Sequence, residues 1–147
     1  MDALKLISSS EDYTVRVWDL ILNTEVACLK GIMGRVTSFA FSNDADTLLV
    51  ASKNASIAFY AVNEDFKEIG MISTKEIAGL EAETEINALI YLEGAAKEQE
   101  ESTPYLVVGG EQGFLAMIDL KNKACSWIEA DYVPGEIHSL HLTRDKK

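Results

Sequence analysis

Twelve short apolar runs, rich in β-branched and aromatic residues, alternate with polar clusters along this chain. They cover residues 3–9, 15–20, 26–30, 36–42, 47–52, 57–62, 69–73, 86–92, 105–109, 115–120, 125–129 and 137–143. Turn formers separate them, among them Glu11-Asp12-Tyr13-Thr14, Asn43-Asp44-Ala45-Asp46 and Glu111-Gln112-Gly113. Runs of this length with this punctuation predict strands, and the chain reads as all-β. Residues 74–85 and 93–102 are rich in Ala, Glu and Lys and have fair helix propensity. The second stretch has no apolar face and is stopped by Pro104, so it reads as a solvated acidic loop. The alternative is a docking strip for a basic partner.

The runs repeat. Val15-Arg16-Val17-Trp18-Asp19-Leu20, Ile57-Ala58-Phe59-Tyr60-Ala61-Val62 and Leu115-Ala116-Met117-Ile118-Asp119-Leu120 superimpose as one motif, the first two offset by 42 residues. The larger offset of the third is accounted for by the acidic loop. A second series, Val36-Thr37-Ser38-Phe39-Ala40-Phe41, Ile86-Asn87-Ala88-Leu89-Ile90-Tyr91 and Ile137-His138-Ser139-Leu140-His141-Leu142, precedes the other strands of each unit.

Leu6-Ile7-Ser8-Ser9-Ser10-Glu11-Asp12-Tyr13-Thr14-Val15-Arg16-Val17-Trp18-Asp19-Leu20 resembles the WD-repeat family almost residue for residue, and the resemblance extends over essentially the whole chain. It implies an all-β, WD40-type β-propeller of four-stranded blades. In that family a His, a Ser, an Asp and the Trp link up inside each blade, and Ser8, Asp12 and Trp18 match three of those positions. The later repeats depart from the pattern. Ile32 replaces the His, while Val50, Asn54 and Tyr60, then Val108, Gln112 and Ile118, stand in for Ser, Asp and Trp. Replacing both ends of a buried polar link by apolar groups can be nearly neutral, so these blades are expected to be packed rather than tethered.

With strands lettered a to d outward, the resemblance implies strands b–d of a first blade over 3–31 and a second blade over 32–74. A third follows over 85–130 with an acidic insertion at 93–103, and then strand a of a fourth over 137–143. Closed propellers need ~4 or more blades, so about three make an open arc. The simpler explanation is a piece of a longer polypeptide; the other is completion by another chain, such as a second copy joined head to tail. Either way, an isolated chain is expected to be aggregation-prone or obligately assembled.

Composition narrows the function. A net charge of −11 opposes direct nucleic-acid binding, because phosphate contacts need a basic stripe and the terminal Arg144-Asp145-Lys146-Lys147 is too short to make one. No apolar run approaches the ~20 residues that span a bilayer, and residues 1–5 lack signal-peptide features. No membrane association is expected, and the location is expected to be intracellular. Cys28 and Cys125 are too few and too far apart for a disulfide framework or a zinc site, and read as small buried hydrophobes.

No catalytic constellation stands out, so the chain is read as a non-enzyme. His138 and His141, at i and i+3 on one predicted strand, face opposite sides and have no third metal ligand nearby in sequence. Ser8-Ser9-Ser10 lacks a Gly-x-Ser-x-Gly context. Val108-Gly109-Gly110-Glu111-Gln112-Gly113 lacks the Lys-Ser/Thr ending of a phosphate loop. No cofactor, metal or small-molecule substrate is expected.

WD propellers bind partners on the face formed by the start of strand a and the turn between b and c. Carried across, the resemblance places Glu11 there from the first blade, with Arg35, Thr37 and Lys53 from the second. Glu85, Asn87 and Glu111 come from the third, and Glu136 and His138 from the fourth. The bland alternative is ordinary solvated charge. A narrower resemblance, to the transducin-β-like WD subunit of the small-subunit processome, rests on a well-formed repeat, a degenerate one and then an acidic insertion. It implies a scaffold in a large nucleolar complex for pre-ribosomal RNA processing. The alternative is a cytoplasmic regulatory adaptor, G-protein-β-like or a ubiquitin-ligase substrate receptor.

Deleting residues 93–102 should leave the fold intact, since loop-closure cost changes slowly with length. An unchanged far-UV circular dichroism spectrum and a cooperative melt are the expected readings.

Overall fold

The computed structural model describes residues 4–32, 34–80, 84–93, 103–127 and 135–143. Residues 94–102 of the acidic insertion and the tail from Arg144 lie outside these. Eleven strands form three antiparallel sheets, each a simple meander. The first sheet holds β1 (Lys5–Ser9), β2 (Val15–Asp19) and β3 (Thr24–Leu29). The middle sheet holds β4 (Val36–Phe41), β5 (Thr47–Ser52), β6 (Ser56–Ala61) and β7 (Lys67–Ser73). The third holds β8 (Ile86–Glu93), β9 (Pro104–Gly110), β10 (Leu115–Asp119) and β11 (Ala124–Trp127). None of the three sheets is closed, and the described residues contain three short 3-10 turns but no α-helix.

The repeat seen in the sequence is also a repeat of hydrogen-bond register. Lys5 pairs with Asp19, Thr47 with Ala61 and Tyr105 with Asp119; at the other end of these hairpins Ser9 pairs with Val15, Ala51 with Ile57 and Gly109 with Leu115. Irregularities recur as well. A bulge falls between Val17 and Trp18 in the first sheet and between Phe59 and Tyr60 in the middle one. Another falls between Val36 and Ser38 and again between Ile86 and Ala88. The hairpin turns place Tyr13, Ala55 and Gly113 at φ values of 62°, 59° and 72°. The next turns do the same with Asn23, Asp65 and Lys123. Left-handed residues are uncommon outside glycine, so their recurrence at matching positions reflects one turn geometry used three times.

The turns are pinned by short polar side chains. Asp12 accepts from the Thr14 amide at 3.0 Å and its hydroxyl at 2.7 Å. At the corresponding place Asn54 accepts from the hydroxyls of Ser52 and Ser56. Asp19 caps the Ile21 and Leu22 amides, and Asp119 caps those of Lys121 and Asn122. Such Asx turns satisfy amides that the ladder leaves free.

The sheets pack face to face. Val15, Val17 and Leu29 of the first sheet meet Val36, Leu48, Val50, Ala58 and Tyr60 of the middle one, with Ile32 and Phe66 closing the cluster. On the reverse face of the middle sheet, Leu49, Ala51 and Ile57 meet Ile86, Leu89, Leu106, Val108, Ala116 and Ile118, sealed by Ile77 and Leu80. Strand β5 is therefore buried on both faces, which is why Leu48-Leu49-Val50-Ala51 is a continuous apolar run and not an alternating one. Among the described residues the first sheet's outer face has no such cover: Leu6 is 50% exposed.

Of the expected Ser8, Asp12 and Trp18 link, Trp18 Nε1 donates to Ser8 Oγ at 2.9 Å. Asp12 spends its carboxylate on Thr14 and on Arg16, 3.5 Å away, and not on Ser8. The substitutes Ile32, Val50, Tyr60, Val108 and Ile118 are all buried.

Three expectations need adjustment. Residues 137–143 form no strand here, because no sheet partner lies beside them among the described residues; Ile137 makes one bond, from its amide to Gly110 O at 3.0 Å. Strand β8 runs on to Glu93, paired with Pro104, so Glu93 of the expected insertion belongs to the sheet. Cys28 and Cys125 are half-buried free thiols and not fully buried, Cys125 packing against the edge of the second core cluster.

Leu106→Ala should destabilise by about 2–5 kcal/mol, as for a large-to-small change in a closed core. Ser8→Ala should cost only about 1 kcal/mol, as for one net hydrogen bond. Urea titrations of both variants check the ranking.

Candidate functional site

Equivalent positions of the repeat converge at one end of the strands. The β5–β6 turn carries Lys53, the matching β9–β10 turn carries Glu111, and the matching β1–β2 turn carries Glu11. Arg35 and Glu85 immediately precede β4 and β8, and Glu136 precedes the segment aligned with them. Thr37, Asn87 and His138 come two residues later. The middle and third sheets thus each offer charge at two fixed places, and face-to-face stacking sets those places side by side.

Six of the nine predicted residues, Arg35, Thr37, Lys53, Asn87, Glu136 and His138, line one polar hollow of about 290 Å³ together with Val36. Lys53 Nζ meets Glu85 Oε2 at 3.0 Å, and Asn87 Nδ2 donates to Glu136 Oε2 at 3.5 Å. His138 Nδ1 lies 3.8 Å from the same carboxylate oxygen, an ion pair when the imidazole is protonated. The Lys53 amide donates to Arg35 O at 2.8 Å, which fixes the β5–β6 turn beside the start of β4. Thr37 Oγ1 donates to Ile86 O, and the Leu89 amide donates to Ser38 Oγ at 3.3 Å, so β4 is stitched to β8 across the sheet boundary. Glu11 is exposed and stands apart from this hollow, on the first sheet's turn.

Glu111 completes the rim. The neighbouring Glu85 carboxylate, with which it shares a hydrogen bond, raises the Glu111 carboxyl above its ordinary value; desolvation and Glu136 push the same way, and Lys53 opposes them. Two cations, Arg35 and Lys53, therefore sit among three carboxylates, Glu85, Glu111 and Glu136. Such a mixed-charge hollow suits charged or hydrogen-bonding side chains of a partner. Among the described residues no group of three His, Cys, Asp or Glu is placed to hold a metal ion. None of the described helices is long and apolar enough to cross a membrane.

Sequence reasoning missed a second concavity. At the opposite end of the strands, Thr47, Phe59, Ile69, Gly70, Met71, Ile72, Tyr91, Pro104 and Leu120 line an apolar groove of about 350 Å³ between the middle and third sheets. Its only sequence signal is that Ile69 and Met71 lie on one face of an outer strand, where both remain half exposed.

No protein-family model matches the chain.

The raised Glu111 carboxyl gives a signed pH prediction. Repulsion from Glu85 costs stability only when Glu111 is ionised, so the penalty is absent below the unfolded value and grows as pH rises through the folded one. Glu111→Gln removes that charge and keeps a donor toward Glu85. The variant should melt higher than the parent at pH 7–8, and the difference should vanish near pH 4. Calorimetric scans across that range check it.

Proposed function

We propose that the chain is a non-catalytic protein-interaction scaffold of the WD-repeat kind, its sheets acting as blades of an incomplete propeller, and that partners dock on the charged rim. The observation that carries this reading is the convergence of residues from separate repeat units into one hollow. Side chains far apart in sequence, from Arg35 to His138, line it together. Solvated surface charge has no reason to recur at matching positions of successive units and face one space. The blade assignment is supported by the shared register, bulges and left-handed turns of the three meanders.

The partner class follows from charge. With a net −11, a protein surface carrying basic groups is favoured over a phosphate backbone. Ion pairs at an open rim set encounter rate and register more than they add affinity. A place in the small-subunit processome would bring ribosome-assembly proteins to this rim, whereas an adaptor role would bring signalling or ligase subunits. The identity of what is captured separates them.

Lys53→Glu combined with Glu136→Lys should abolish capture of the specific partners from a cell extract. Lys67→Glu, a charge change on the outer strand β7, should leave capture intact. Association measured with a purified partner should slow by about tenfold for the rim variant at low salt, and the gap should narrow as salt is added. Equal loss from both variants, or none from either, would remove the rim as the docking face.

A further inference from the structure

The three sheets stack in one sense, so each presents the same two faces. The face with Leu48, Val50, Ala58 and Tyr60 on the middle sheet is covered by the first sheet, and the face with Leu106, Val108, Ala116 and Ile118 on the third is covered by the middle one. The register places Leu6, Ser8, Arg16 and Trp18 at those positions on the first sheet. There no further described sheet covers them: Leu6 is 50% exposed, and Ser8, Arg16 and Trp18 are only partly buried. Seven of the eleven exposed large apolar residues among those described, from Leu4 to Val26, belong to the first sheet and its turns.

Among the described residues the first sheet has three strands where the other two have four. The middle and third sheets each begin with an edge strand, β4 or β8, paired to β5 or β9. In the first sheet the matching side of β1 is unpaired among the described residues. The sequence aligned with β4 and β8 is 137–142, and it has no ladder of its own. Ile137 is nonetheless seated as Ile86 is: Ile86 shares a core cluster with Ala51, and Ile137 packs so close over Gly109, the residue matching Ala51, that a Cβ there would collide with it. Among the described residues, one end of the stack thus has an open strand edge and the other carries a matching segment without a ladder.

We propose that a second copy of this chain fills the first sheet, donating residues 137–143 as a fourth strand beside β1 and laying its third sheet over Leu6 and Trp18. The repeat dictates the register. Phe39 pairs with Val50 and Leu89 with Val108, so Leu140 pairs with Ser8 of the other copy; continuing the ladder brings Thr143 opposite Lys5. Backbone pairing supplies the attachment, and alternate side chains supply the fit. The contact is heterologous, with different surfaces of the two copies meeting. This inference rests on the repeat register and stands whether or not the rim is a docking face.

Sedimentation of the 147-residue chain should show concentration-dependent self-association. Leu140→Pro, which removes a ladder donor from a segment with no intrachain ladder, should weaken it at least tenfold. Leu6→Glu, on the exposed face, should do the same, while circular dichroism remains unchanged for both. In a background with Cys28→Ser and Cys125→Ser, chains carrying Lys5→Cys mixed with chains carrying Thr143→Cys should form a disulfide-linked pair under mild oxidation. Lys5→Cys mixed with His138→Cys, out of register, should not. A monomer at all concentrations overturns the proposal. So does association that ignores both variants, or cross-linking that is equal in the two mixtures.

Discussion

Everything else in this molecule hangs on the burial of the middle sheet between its two neighbours. Its strand β5 has solvent on neither face, and the two clusters it joins, one around Val17, Leu48 and Tyr60, the other around Leu49, Ile86 and Leu106, hold the described sheets together. Antiparallel meanders of three or four strands have little independent stability unless one face is covered. Here the cover is another copy of the same unit, so stability comes from neighbour contacts and not from a central core. That is the energetic pattern of repeat architectures.

The same stacking makes the rim. A β-turn carrying a lysine is by itself an unremarkable surface feature. When the next sheet is laid against it, Lys53 falls within 3.0 Å of Glu85 on a different sheet, and Glu136 reaches both Asn87 and His138. Pairing within the third sheet adds to the rim: the Glu111 carboxyl is raised because Glu85, just before β8, stands next to the β9–β10 turn. In contrast, Asp12, Asp44 and Asp119 are lowered by hydrogen bonds within their own turns. The first kind of shift marks convergence between segments; the second is local and would exist in a single hairpin.

Tolerance of the later repeats to loss of the polar link has a packing explanation. The first sheet keeps Ser8 and Trp18 bonded on a face that is partly open to water, where polar groups cost little. The middle and third sheets place Val50 and Tyr60, or Val108 and Ile118, on the same face, and there another sheet covers them. A polar pair would have to be fully satisfied in such a place. Apolar substitution at both ends avoids that requirement.

Strand identity, chain order, the repeat and the turn positions were all legible in the residues. They depend on local chemistry: alternation along a strand, β-branched side chains that fit a pleated sheet, and Asx turns formed within a few residues. Six of the nine expected face residues line one hollow, because a repeat carries position from unit to unit, while Glu11 stands apart. Four things were not legible. The partners of Asp12 were decided by turn geometry that keeps its carboxylate on Thr14. The absence of a strand over residues 137–143 was decided by pairing, since a strand exists only beside another and no propensity supplies the neighbour. The apolar groove around Ile69 and Met71, like the raised Glu111 carboxyl, arises from distances between segments. Sequence determines what each segment can form and which faces are apolar; which groups stand next to one another is set when sheets pack, because contact and desolvation depend on separation in space and not along the chain.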